Sequence, residues 1–236
     1  MAEIIPWTSL MWCLVPVGLV TYLFYAWKTR FQDVLTASGR MVVQLLAVGY
    51  VLVMLFEHPS PWTSALIVAA MLLIANWIAL RPVREHKGLF LPGLIALTVT
   101  VIFHLLLSVG FVIELDPWYQ PNVLIPLAGM YFANTMNSIS LAAERFYAEI
   151  KHETDIIVAR NNAFKAAMIP QINGLLAVGL VALPGMMTGQ ILAGVSPLIA
   201  VRYQILIMTM ILGTPGVGAA LMLWQLSKPA LAKSQN

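Results

Sequence analysis

Seven long apolar stretches, arranged so that threading them through a bilayer leaves every lysine and arginine but one on the same side, constrain this chain more than any motif in it. Of 236 residues, 60% are hydrophobic and only 10% charged. A helix in water needs a wet polar face; these stretches have almost none, so their solvent is lipid. In hydrocarbon each backbone N–H and C=O must be satisfied within a helix or a closed barrel. The runs lack the period-two alternation of barrel strands, which selects helices. The sequence therefore predicts an all-α, polytopic membrane protein of about seven transmembrane helices, one domain over residues 1–236, in the cell (inner) membrane.

The predicted spans are about 6–27, 40–56, 62–80, 89–112, 122–142, 170–193 and 203–225. Pro16 is expected as a tolerated kink in the first. The second, Arg40 to Phe56, is near the minimum length and should stand upright or begin in the headgroups. The sixth is broken at Pro184-Gly185, and 183–197 is too rich in Gly and Pro for one straight helix; a helix end followed by a re-entrant piece is expected. Basic residues collect on the cytoplasmic side of membrane proteins. With the N-terminus outside and the C-terminus inside, Lys28, Arg30, Arg40, Arg81, Arg84, Lys87, Arg145, Lys151, Arg160, Lys165, Lys228 and Lys233 are inner. Glu3, Glu57, Glu114, Asp116 and Arg202 are outer. The net charge of +3 is thus topology rather than affinity for nucleic acid. Trp7, Trp27, Trp62, Trp77, Trp118 and Trp224 fall near span ends, as in an interfacial belt. The N-terminus lacks a basic n-region, so no signal cleavage is expected. The single cysteine, Cys13, can form no internal disulfide.

The largest polar segment is about 143–168, on the predicted inner side. Phe146, Ile150, Ile157, Phe164 and Met168 form one helical stripe there, while Lys151 and Asp155 pair at i,i+4 on the polar side. This reads as a cytoplasmic amphipathic extension or hairpin, against the membrane or a partner.

No phosphate-binding glycine loop, H-E-x-x-H or C-x-x-C is present, so no catalytic residue is assigned and no enzyme activity is expected of the chain alone. The polar groups inside the spans are more informative. Asn134, Thr135, Asn137, Ser138 and Ser140 crowd the fifth span. An unpaired buried amide costs roughly 2–7 kcal/mol, so these groups must meet other helices or water. They read either as a translocation pathway or as interhelical hydrogen bonding. Gln44, Asn76 and His104 are single polar residues of spans two to four, read as glue between helices. Glu114 and Asp116 end an outer helix and are read as hydrated. Met186, Met187, Met208 and Met210 are read as plastic packing rather than a soft-metal site.

Three blocks carry a family resemblance: "RMVVQLLAVGYVL" from Arg40, "IPLAGMYFANTMNSISLAAERF" over 125–146, and "AAMIPQINGLLAVGLVALPGMMTGQILAGVSPLIAVRYQILIM" over 166–208. Together they resemble the permeases of the iron-export ABC transporters of the FetB type, a family long catalogued as uncharacterised membrane proteins, with plant relatives linked to aluminium tolerance. The resemblance implies a permease domain that binds no cofactor, forms a homodimer and takes two copies of a separate ABC-type ATPase, where ATP and Mg would sit. The implied activity is ATP-driven export of iron or a related metal species; metal ligands are not assigned. The expected pathway has Asn134, Asn137 and Ser138 on one side and Pro184, Gly185, Met186 and Met187 opposite; the alternative is that Gly185 and Gly189, which permit close helix approach, form a dimer contact. The expected partner-coupling surface is Phe146, Ile150 and Ile157. One departure stands out: only 24 residues separate Arg145 from Pro170, a deficit of about three helical turns, or roughly 15 Å, against the family pattern. That leaves a smaller coupling element or, alternatively, a non-transporting scaffold or assembly subunit of a larger membrane complex.

Overall fold

A computed structural model describes residues 5–152 and 155–234, with side chains as far as Lys228. Glu3, residues 153–154 of the predicted inner segment and the Lys233 side chain lie outside the described residues. All described elements are helical: α1 Trp7–Ala26, α2 Gln32–Glu57, α3 Pro61–Ala79, α4 Phe90–Leu106, α5 Pro121–Lys151, α6 Ile156–Ala177, α7 Gly185–Leu192 and α8 Pro197–Ser234. Helix α4 continues as a π-helix over Leu107–Val112, and a 3₁₀ turn covers Arg81–Val83. Proline opens α3, α5 and α8, where its missing N–H is one the first turn leaves unpaired anyway. By length and composition, α1, α2, α3, α4 with its π-helix, and α8 as far as Lys228 can cross a membrane. The chain is an all-α, multi-pass membrane protein.

Contacts divide it into two units, Met1–His58 and Pro59–Asn236. In the first, α1 packs on α2 and buries none of its described residues. Helix α2 starts at Gln32, not at Arg40 as the hydropathy suggested, and its 26 residues exceed the minimum for a span. The extra turns carry Gln32 and Asp33; Asp33 lies in the first turn, where the helix dipole favours an acid.

The second unit is built around α5, whose most extensive contacts are with α8 and then α6. Leu97 and Val101 of α4, Tyr131 and Ile139 of α5, and Ile207, Met222 and Leu223 of α8 make its interior. Helix α6 contributes a stripe of alanines at i,i+4,i+8: Ala159, Ala163 and Ala167 are at most 1% exposed. Small side chains let backbones approach closely, which is how helices gain contact energy without a solvent-driven hydrophobic term.

Two predicted boundaries change. Helix α5 runs unbroken from Pro121 to Lys151, about 46 Å at 1.5 Å per residue, well beyond a bilayer core of about 30 Å. The predicted inner segment is therefore built from two helices that pack on each other, the end of α5 up to Lys151 and the start of α6 from Ile156. Asp155 begins the second of these by accepting hydrogen bonds from the backbone N–H groups of Ile157 (2.8 Å) and Val158 (3.1 Å), the ordinary way to satisfy a first turn. The sixth predicted span, 170–193, is not one helix. Helix α6 passes through Pro170 and ends at Ala177, where Val178 turns extended and Gly179 takes φ +81°. Pro184 then precedes the separate α7. Pro170 is accommodated inside a helix packed along α5 and α8.

Candidate transport site

A polar seam runs through the interior where α4, α5 and α8 meet. Thr100, His104 and Ser108 follow one another at i,i+4 along α4 and are nearly fully buried. The His104 Nδ1–H donates to the Thr100 carbonyl (2.8 Å), which can only accept. The Ser108 hydroxyl donates to the His104 carbonyl and lies 2.7 Å from the Tyr131 hydroxyl of α5. From α8, Gly213 and Gly218 face this seam. A Cβ at Gly213 would stand 2.5 Å from His104 Nε2, and one at Gly218 2.4 Å from Thr135 Cγ2, so only glycine fits either place. The buried hydroxyls of Thr100, Thr135 and Thr214 have no hydrogen-bond partner among the described residues. Each such group costs about 1–3 kcal/mol. Thr100, Tyr131 and Thr214 were not singled out from the sequence; the i,i+4 run Thr100–His104–Ser108 was the signal available.

The polar residues of α5 are distributed over different faces. Thr135 enters the seam. Ser138 is buried and bonds the Ala167 carbonyl of α6 at 3.4 Å, while Ser140 bonds the Ala79 carbonyl of α3 at 2.6 Å. The half-buried Asn134 donates to its own backbone at Met130 (2.8 Å). Asn137 is exposed. Ser138 therefore turns inward to α6 rather than sharing the surface of Asn137. Asn76 is confirmed as glue: its Nδ2 donates to the Phe90 carbonyl (3.0 Å), and its Oδ1 would stand 2.4 Å from a Cβ at Gly93. Gln44 is exposed on α2.

At the break between α6 and α8 lies an open, largely apolar pocket of about 340 Å³. Pro184 and Met187 line it, with Leu175 and Val178 on one side and Gln204 and Met208 of α8 on the other. Gln204 is 6% exposed, and its Oε1 is unpartnered among the described residues. Met186 instead packs against the core, as does Met210. Gly185 and Gly189 stand in open space, a Cβ at either meeting nothing within 4 Å. Neither Asn134 nor Asn137 lines this pocket, so the two halves of the expected pathway do not meet in it. Among the described residues no three His, Cys, Asp or Glu side chains gather closely enough to hold a metal ion.

In the predicted inner segment, the expected coupling stripe divides. Phe146 is 1% exposed and belongs to the core, Ile150 packs against that core, and Ile157 is 48% exposed. The correction has a simple cause: periodicity defines a helical face but not what covers it, and α5 turns this face inward. Tyr147 stacks on His86 at 3.6 Å, and burial pushes its phenol above the usual range. Arg145 pairs with Glu149 one turn on.

The helical membrane architecture defines the class, and comparison with known proteins gives the family. The chain belongs to the uncharacterised protein family UPF0014, whose family model matches residues 7–230. It is 38% identical to a UPF0014 membrane protein of Synechocystis, over 88% of this chain and 87% of that protein. It is 31% identical to the probable iron export permease protein FetB of Escherichia coli, over 78% and 75%. The protein ALUMINUM SENSITIVE 3 of Arabidopsis thaliana is 27% identical, over 87% and 80%. No solved structure matches the chain.

Proposed function

We propose that this chain is the membrane-spanning permease subunit of an ABC transporter that exports iron or a related metal species, with ATP and Mg handled by a separate ATPase subunit. The observation carrying this reading is the similarity to the probable iron export permease of Escherichia coli across three quarters of both chains. The permease has seven spans, N-terminus outside, with α5 and α6 crossing beside the five more apolar helices. Two copies form the functional unit. The pathway runs between them, along the face of α5 that carries Asn137 and past the break at Pro184, Gly185 and Met187. Asn137 supports this placement: an exposed amide in hydrocarbon is costly, and a partner copy or water removes that cost. With no carboxylate or histidine cluster among the described residues, the cargo passes with its waters or a chelating partner still bound.

The ATPase docks on the start of α6, where the exposed Ile157 and Val158 offer the apolar contact. The buried position of Phe146 and the short stretch of 24 residues between Arg145 and Pro170 favour a second reading, a scaffold subunit of another membrane complex. Affinity purification in mild detergent separates the two. A small ABC ATPase, lost on Ile157→Asp, supports the transporter; an unrelated large membrane complex in its place overturns it.

A further inference from the structure

Near the start of α6 in the second unit, an open cleft of about 270 Å³ lies between α6 and α8. Arg160, Asn161 and Phe164 form one wall, and Ala220, Leu223 and Trp224 the other. One turn beyond Trp224, the Lys228 ammonium stands 4.2 Å from the centre of its ring. Among the described residues, neither Arg160 nor Lys228 has a carboxylate partner. The sequence explains why: α6 and α8 contain no aspartate or glutamate. Asp155, just before α6, already accepts from Ile157 and Val158, and Glu149 is held by Arg145. Two cations thus flank an aromatic cleft that its own helices cannot neutralise.

The level of the cleft in the bundle identifies what can. Gln225, beside Trp224, donates to the Pro92 carbonyl (3.1 Å), and Asn76, beside Trp77, donates to the Phe90 carbonyl (3.0 Å). Both tryptophans are therefore tied to the same first turn of α4. Each carries a cation over its ring, since the Arg84 guanidinium lies 4.4 Å from the centre of Trp77. Tryptophan with a neighbouring cation is the pattern of the membrane–water boundary, where phosphates are and where apolar walls lead on into acyl chains.

We propose that the α6–α8 cleft is a binding site for one anionic phospholipid. The Arg160 fork and the Lys228 ammonium take the phosphate, and the Asn161 amide donates beside them. Phe164, Ala220 and Leu223 cover the start of an acyl chain. The bound lipid closes α6 onto α8 with charge that neither helix supplies.

The test uses the delipidated full-length chain in detergent, with lipid binding followed by native mass spectrometry. Phosphatidylglycerol should bind at least about tenfold more tightly than phosphatidylcholine, two cations near a phosphate each favouring the anion. The Arg160→Gln, Lys228→Gln double variant should lose that preference, whereas Arg84→Gln should keep it. Equal binding of the two lipids, a preference retained by the double variant, or an equal loss in Arg84→Gln would overturn the site. Displacement by excess inorganic phosphate would overturn the lipid in favour of a soluble anion. Should the double variant not fold, photoactivatable phosphatidylglycerol on the unaltered chain decides. Crosslinks within 160–164 and 220–228 support the site, and crosslinks elsewhere refute it.

Discussion

Glycine plays opposite parts in the α4–α5–α8 seam and at the α6–α7 break. In the seam, Gly213 and Gly218 are pressed against His104 and Thr135, and an added methyl would stand within 2.5 Å of another side chain. At the break, Gly185 and Gly189 lie in open space. The seam is closely packed although it holds hydroxyls with no partner among the described residues; the break lines a pocket and leaves helix surface uncovered. Packing that cannot deform gradually tends to have few discrete arrangements, whereas an open face needs a partner to define it. The difference teaches that the bundle interior is a closely packed frame, and that the break is the open surface on which the proposed second copy and cargo would act.

The frame should fail first under substitution. Phe146→Ala removes a fully buried ring and should cost about 3–5 kcal/mol, visible as a lower unfolding temperature in detergent. An unchanged unfolding temperature would place Phe146 on the surface, where its periodicity alone had suggested a docking role. Gly218→Ala should cost less, about 1–3 kcal/mol, because the stiff Thr135 side chain must move. If Gly218→Ala melts with the parent, the close packing of the seam is not real.

Substitutions at the open surfaces should spare the fold and act on function. The Asn134→Leu, Asn137→Leu double variant should remain folded and lose metal export measured in cells; unimpaired export would remove α5 from the pathway. Gly189→Ala has the smallest expected effect on the single chain, a gain of up to about 1 kcal/mol from better helix propensity. A loss of dimer on size-exclusion chromatography, without loss of helicity, would instead make that face the dimer contact.

How much of this was legible in the sequence follows from what hydropathy can see. Helix α4 and the membrane portion of α8 stand out because lipid-facing residues such as Ile95, Val99 and Ile102 are apolar along with the core. Helix α6 did not. Arg160, Asn161, Asn162 and Lys165 make its first half resemble a polar loop, while its buried face is alanine, which carries little hydrophobic signal. The stripe through Phe146 was read as one helical face, whereas the structure divides it between two helices, with Phe146 and Ile150 turned to the core on α5 and Ile157 exposed on α6, because spacing is local and burial is not. Of the candidate site, the Pro184-Gly185 break was visible as composition. The partners of that break, Gln204 and Met208, come from a helix that only folding brings beside it.

The most direct test of the transport assignment uses inside-out membrane vesicles containing the chain together with the ABC ATPase proposed as its partner. Exported iron would accumulate inside such vesicles on addition of MgATP. The account predicts accumulation that requires both proteins and hydrolysable ATP, and that falls to background with Ile157→Asp. Accumulation equal with and without the chain, for iron and for related metals, would contradict it.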